Sequence, residues 1–230
     1  MSTLGIARSP LRIAVLISGG GSTLANLIER IADGRLRNVA VVQVVSSRAE
    51  ARGCEIARAA GVPLAVVSPR NHRDVEDFSA ALARVLDEAR PDLVVMGGFL
   101  CLWRIPPRYQ GRVLNIHPAL LPRFGGVGMY GRRVHEAVLA GGERESGCTV
   151  HVADDEYDHG PIVAQCRVPV LPGDTPDSLA ARVQAAEREL YPQVIQRVAD
   201  EGASWLHNAT GEPLEERFVP AKSRMGESGR

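Results

Sequence analysis

Residues 112–122 (RVLNIHPALLP) set an amide and an imidazole on a strand that has to stop. Val113, Leu114 and Ile116 suit a strand interior, and Pro118 cannot donate to a ladder, so the strand ends there. Asn115 and His117 stand two residues apart and therefore share one face. Open α/β sheets place their ligands at the carboxyl ends of strands. There, an amide can donate to a developing oxyanion, and an imidazole can donate or move a proton. The alternative is a histidine that only caps a loop.

A second stretch, Ser18 to Leu24 (SGGGSTL), lies between an apolar run and a helical pattern. Glycines let backbone N–H groups approach a ligand, and a helix N-terminus favours an anion. Ser22 and Thr23 add hydroxyl donors. Leu24 stands where a Gly-x-Gly-x-x-Gly pattern needs glycine, and no lysine follows as in a Walker loop. A single phosphate monoester therefore fits better than a dinucleotide or a nucleoside triphosphate. A glycine turn without a ligand is the alternative.

A third stretch, Val150 to Pro161 (VHVADDEYDHGP), concentrates His151, Asp154, Asp155, Glu156, Asp158 and His159. Carboxylates and imidazoles ligate metals, but the spacing lacks a His-x-x-x-His face, and acidic loops are usually solvated. No metal is expected. His151 alternates with Val150 and Val152, which gives it a structural hydrogen-bonding role. His72, His135 and His207 have no partner in sequence and are expected at the surface. No Gly-x-Ser-x-Gly elbow is present, and no cysteine stands in a nucleophile context, so covalent catalysis has little support.

The elements that must position these residues follow from apolar period. Leu11 to Ser18 is a near-continuous apolar run, the mark of a strand buried on both faces. Val39 to Val45, Val62 to Val67, Leu93 to Met96 and Val113 to Ile116 read as further strands. Leu24 to Ile31, Glu50 to Ala60 and Asp74 to Arg90 read as the helices between them. This alternation predicts an α/β fold with a doubly wound, mostly parallel sheet.

Past Pro122 the pattern changes. Arg123 to Gly131 is a glycine-rich loop and Val134 to Ala140 a short helix. Cys148 to Val152 and Ile162 to Val170 read as strands, antiparallel or mixed additions to the sheet edge. Thr175 to Ala199 is a long helix that Pro192 should kink or end. Ser204 to Thr210 reads as a final hairpin strand. Residues 1–10 and 211–230 are expected to be a disordered tail and a frayed tail around one domain, 11–210.

Of 230 residues, 27 are basic and 27 acidic, so nothing steers the chain toward nucleic acid or an anionic membrane. Two tryptophans and four phenylalanines make a base-stacking surface improbable. Cys54, Cys101, Cys148 and Cys166 are far apart and read as free thiols in a reducing compartment. Residues 1–10 lack the apolar core of a signal peptide, and no run approaches the roughly 20 apolar residues of a membrane span. The expectation is a cytoplasmic protein.

Taken together, these stretches resemble the phosphoribosylglycinamide formyltransferases, folate-dependent enzymes of purine synthesis within the formyltransferase superfamily. The likeness spans about residues 12–210. Its motifs are Ile17 to Leu24, Leu114 to Pro122 (LNIHPALLP), Gly147 to Pro161 and Ala181 to Pro192 (ARVQAAERELYP). Asn-x-His-Pro is shared across the superfamily; the glycine loop and the Gln184/Glu187 helix narrow the likeness.

The resemblance implies a Rossmann-like formyltransferase domain that uses 10-formyltetrahydrofolate as formyl donor and glycinamide ribonucleotide as acceptor. Its phosphate-binding half would run from about 11 to 110, and its folate and catalytic half from about 111 to 210. It implies that Asn115, His117 and Asp158 are catalytic. A carboxylate beside an imidazole favours the protonated ring. Gly20, Gly21, Ser22 and Thr23 would hold the phosphate, Gln184 and Glu187 the ribose, and Gly98 and Pro118 the glycinamide arm.

Leu100, Cys101, Leu102 and Trp103 would present backbone to the pterin, with Ala153, Asp154, Asp155, Glu156 and Tyr157 closing over it and Asn115 beside it. Three features depart from the family. Gly20 and Thr23 replace frequent asparagines, Arg73 stands about two positions from the folate-contacting arginine, and the Phe124 to Gly131 loop is longer. The family is compatible with a homodimer. Rival readings are methionyl-tRNA formyltransferase, formyltetrahydrofolate hydrolase and a non-catalytic folate-binding protein.

Overall fold

The computed structural model describes residues 9–209 and 214–217. Its centre is an eight-stranded sheet. Five strands form a parallel half: β1 (Leu11–Ile17), β2 (Val39–Ser46), β3 (Leu64–Val66), β4 (Leu93–Met96) and β5 (Val113–His117). β6 (Glu145–Val152) pairs antiparallel with β5, β7 (Ile162–Pro169) antiparallel with β6, and β8 (Leu214–Arg217) parallel with β7. The order is β3-β2-β1-β4-β5-β6-β7-β8. The chain leaves β1 first toward β2 and later returns to β4 on its other side. That reversal opens a crevice at the carboxyl ends of β1 and β4.

The apolar runs of the parallel strands are explained by burial on both faces. Along β1, Ile13, Val15 and Ile17 enter one core and Ala14 and Leu16 the other. The first core is covered by α1 (Ser22–Ala32), α2 (Arg52–Ala59), α4 (Arg132–Ala140) and α5 (Pro176–Glu201). The second lies under α3 (Val75–Ala89), whose Phe78, Leu82 and Leu86 form its stripe.

Three sequence expectations are corrected. Of the two outcomes expected at Pro192, a kink or an end, the end is excluded: α5 runs through the proline. A mid-helix proline removes the N–H that would serve the carbonyl four residues back. That carbonyl, of Arg188, instead accepts from Asn26 Nδ2 of α1 at 2.9 Å, so the packing of α1 on α5 supplies the missing donor. Ser204–Ala209 is a short helix, not a hairpin strand, with Leu206 buried against the core. Leu214–Arg217, expected within a frayed tail, add β8 to the sheet edge. Residues 1–8, 210–213 and 218–230 lie outside the described residues.

Candidate functional site

The glycine turn after β1 leads into the N-terminus of α1. Gly21 is the N-cap, with φ of +71°, and a Cβ there would lie 2.6 Å from Gly53 Cα. No side chain caps this helix, and its first turn holds no acidic residue. The first-turn N–H groups of α1 are thus left open toward the crevice, an arrangement that suits an anion.

The turn after β4 is pinned to the same place. Ser18 Oγ accepts from Leu100 N–H at 2.9 Å and from Ser47 Oγ at 2.7 Å, and Ser18 N–H donates to the Gly98 carbonyl at 3.1 Å. This holds the backbone of Gly98 to Leu100 beside the glycine turn. Trp103 follows, tilted against Tyr109, its indole Nε1 buried without a partner.

β5 carries Asn115 and His117 to the crevice. Tyr191 of α5 fixes the strand end: its buried hydroxyl is shared between the carbonyls of Leu114 (2.8 Å) and Met96 (3.2 Å). Beyond His117 the chain is held by Thr149, whose Oγ1 donates to the Ala119 carbonyl at 2.7 Å and accepts from Leu121 N–H at 3.0 Å. Asn115 and His151 are direct partners in the β5–β6 register, and Asn115 Nδ2 lies 3.0 Å from His151 Nε2. His151 is buried, as its alternation with valines predicts.

Asp158 completes the cluster. One carboxylate oxygen accepts from Asn115 Nδ2 at 3.3 Å; the other accepts from Gly126 N–H at 3.0 Å and lies 3.3 Å from His117 Nδ1. Burial would raise this carboxyl, but hydrogen bonds from His117 and His151 outweigh it and hold the group well below the usual carboxylate range. His117 Nε2 lies 2.7 Å from the Phe124 carbonyl.

The remaining wall comes from α5 and α4. Glu187 is half-buried, and burial pushes its carboxyl up to about 7, against the pull of nearby His117. Gln184 lies one turn earlier on the same face. Together these elements enclose a cleft of about 560 Å³.

Every site residue expected from the sequence lines this cleft except two. Arg73 is a surface side chain, 86% exposed, just ahead of α3 and 3.7 Å from Asp77 in that helix's first turn. Asp155 faces away and braces the chain after Trp103: its Oδ1 accepts from Ile105 N–H at 2.9 Å and its carbonyl from Arg104 at 3.2 Å. His135, expected at the surface, is instead 3% exposed and lines the cleft. Its spacing three residues before Val138, on the apolar stripe of α4, was the available signal. Among the described residues, no group of three or more His, Cys, Asp or Glu side chains is arranged to hold a metal ion. The described part of the chain also has no helix long and apolar enough to cross a membrane.

Comparison with known proteins bears on this geometry. The formyl transferase family profile matches residues 11–195. A chloroplastic phosphoribosylglycinamide formyltransferase from Arabidopsis thaliana is 40% identical over 216 residues, 91% of this chain and 73% of that protein. The phosphoribosylglycinamide formyltransferase of Escherichia coli is 37% identical over 204 residues, covering 85% of this chain and 93% of its own. The crystal structure of glycinamide ribonucleotide transformylase 1 from Symbiobacterium toebii superposes with a TM-score of 0.78 at 38% identity, over 86% of this chain and 92% of that one. With the crevice, the fold and these likenesses in agreement, the chain belongs to the formyl transferase family, among the phosphoribosylglycinamide formyltransferases.

Proposed function

We propose that the protein transfers the formyl group of 10-formyltetrahydrofolate to the amine of 5′-phosphoribosylglycinamide in purine biosynthesis. The observation that carries this reading is the Asn115–His117–Asp158 cluster, set in one cleft with an uncapped helix N-terminus. When bound, the folate supplies the formyl carbon. The phosphate of the acceptor is held by Gly20 to Thr23, the ribose by Gln184 and Glu187, and the glycinamide arm by Gly98 and Pro118. Leu100 to Trp103 offer backbone to the pterin, with Ala153, Asp154, Glu156 and Tyr157 over it.

The amine nitrogen adds to the formyl carbon, the bond from that carbon to the folate nitrogen breaks, and the amine proton passes to that nitrogen. Asn115 donates to the oxygen on which charge develops. His117 donates to it as well, once its Nε2–H leaves the Phe124 carbonyl. Asp158 holds His117 in place through Nδ1 and, through a water, carries the amine proton. No metal enters this scheme. Cytoplasmic residence is part of the proposal, although the Arabidopsis relative is chloroplastic. A homodimer is a further expectation that light scattering would test.

The test is turnover. Purified protein given both substrates should release deformylated folate at a rate that depends on the ribonucleotide. No dependence on the amine would refute the reading and favour folate hydrolysis; tight folate binding without turnover would favour a binding protein.

A further inference from the structure

We infer that His135 is a substrate-contacting residue whose imidazole hydrogen-bonds a hydroxyl on the ribose of the acceptor ribonucleotide. The inference rests on the proposed reaction and adds a contact to it.

α4 turns three side chains inward. Val134 and Val138 are fully buried and belong to the packing of the helix on the sheet, while His135, 3% exposed, sits between them and reaches the cleft. Its Nδ1 is buried with no hydrogen-bond partner. An orphaned buried polar atom is destabilising, and a leucine at this position would avoid that cost. A ring in contact with the cleft can instead be completed by a ligand. The χ2 torsion of histidine is broad and roughly two-fold, so either edge of the ring can face the cleft with the helix in place.

The chemistry of the wall selects the group. Burial lowers the pKa of His135, and the neighbouring His117 lowers it further, so the ring is neutral, with one donor and one acceptor. A neutral ring of this kind matches a hydroxyl, which also donates and accepts, better than a phosphate dianion. Position agrees. The anion-binding end of the cleft is the N-terminus of α1, and the reacting end is His117. α4 packs on α5, and His135 lines the same cleft as Glu187, the residue proposed for the ribose. The part of the acceptor that spans phosphate and amine is its sugar.

The test uses His135→Leu, which keeps bulk and removes both hydrogen-bonding atoms, and His135→Asn, which retains a donor and an acceptor. KM for each substrate and kcat are measured, with calorimetric titration of glycinamide ribonucleotide alone. His135→Leu should raise the ribonucleotide KM and Kd by roughly tenfold, with the folate KM and kcat within about twofold. His135→Asn should recover part of the loss. Unchanged ribonucleotide KM and Kd in a folded His135→Leu would overturn the inference, as would a fall in kcat at unchanged KM. If His135→Leu does not fold, His135→Phe, a flat ring without hydrogen-bonding atoms, and His135→Asn carry the same comparison. Wild-type protein that binds the ribonucleotide but forms no product would refute the reaction, while the calorimetric comparison would still decide the contact.

Discussion

His117 and Asp158 face one another at the end of β5, Nδ1 3.3 Å from Oδ2, with the two side chains 4% and 10% exposed. Asp158 is ionised and can only accept, and the Phe124 carbonyl on the ring's other nitrogen can only accept as well. Both neighbours therefore ask the imidazole to donate. Asn115, His117, His151 and Asp158 each have a partner among themselves.

Asp158→Asn keeps the shape of the carboxylate and removes its charge. It should lower kcat by at least about 100-fold with little change in either KM, as expected for loss of a positioned acid–base group. Steady-state kinetics with circular dichroism as a folding control would check this. A near-normal kcat would leave Asp158 as a loop residue.

Ser22→Ala removes a hydroxyl from the open N-terminus of α1 without disturbing the turn before it. Its KM for the ribonucleotide should rise by at least roughly tenfold, and its KM for the folate should stay the same, because a lost bond to a charged group is worth about 1.5–3 kcal/mol. Gly21→Val is expected to do worse. It would force a β-branched residue to φ of +71° against Gly53, so lost folding would accompany lost binding.

Glu187 gives the protein a pH signature. Its folded pKa, about 7, lies above its ordinary value of 4.5, so between the two the folded state holds the extra proton. Stability then falls as pH rises through that window. Thermal melts of the ligand-free protein should show Tm dropping from about pH 5 to about pH 7 more steeply in wild type than in Glu187→Gln. Parallel curves would show that Glu187 does not titrate there.

Tyr191→Phe tests the tether on the site. The hydroxyl lies 2.8 Å from the Leu114 carbonyl and 3.2 Å from that of Met96, and phenylalanine cannot donate to either. Equilibrium denaturation should show a loss of about 1–3 kcal/mol, the cost of leaving buried acceptors unpaired. A smaller loss would mean that other groups or water satisfy those carbonyls.

Local chemistry in the sequence foretold where Asn115, His117 and the glycine turn would stand; the other expected lining residues came from resemblance. Asn115 and His117 share a face because a strand alternates, and Pro118 ends that strand whatever surrounds it. The glycine turn before Ser22 was readable because only glycine allows such a conformation. What failed depended on contacts between distant segments. Pro192 does not end its helix because Asn26, 166 positions earlier in the chain, serves the carbonyl that proline strands. His135 was missed because a histidine is polar and has no partner in sequence, although its place three residues before Val138 on the apolar stripe of α4 points it inward. Asp155 was placed with its acidic neighbours, yet a turn rotates it outward onto Ile105. Arg73 was assigned from resemblance alone, and no local pattern corrected it.

The most direct measurement follows the formyl carbon itself. Protein, isotopically labelled 10-formyltetrahydrofolate and glycinamide ribonucleotide are mixed, and the label is located by NMR. The account predicts that the label appears in the new amide of the ribonucleotide, that Asp158→Asn slows its appearance at least about 100-fold, and that none is transferred when the ribonucleotide is left out. Labelled formate released equally fast with and without the ribonucleotide would contradict it.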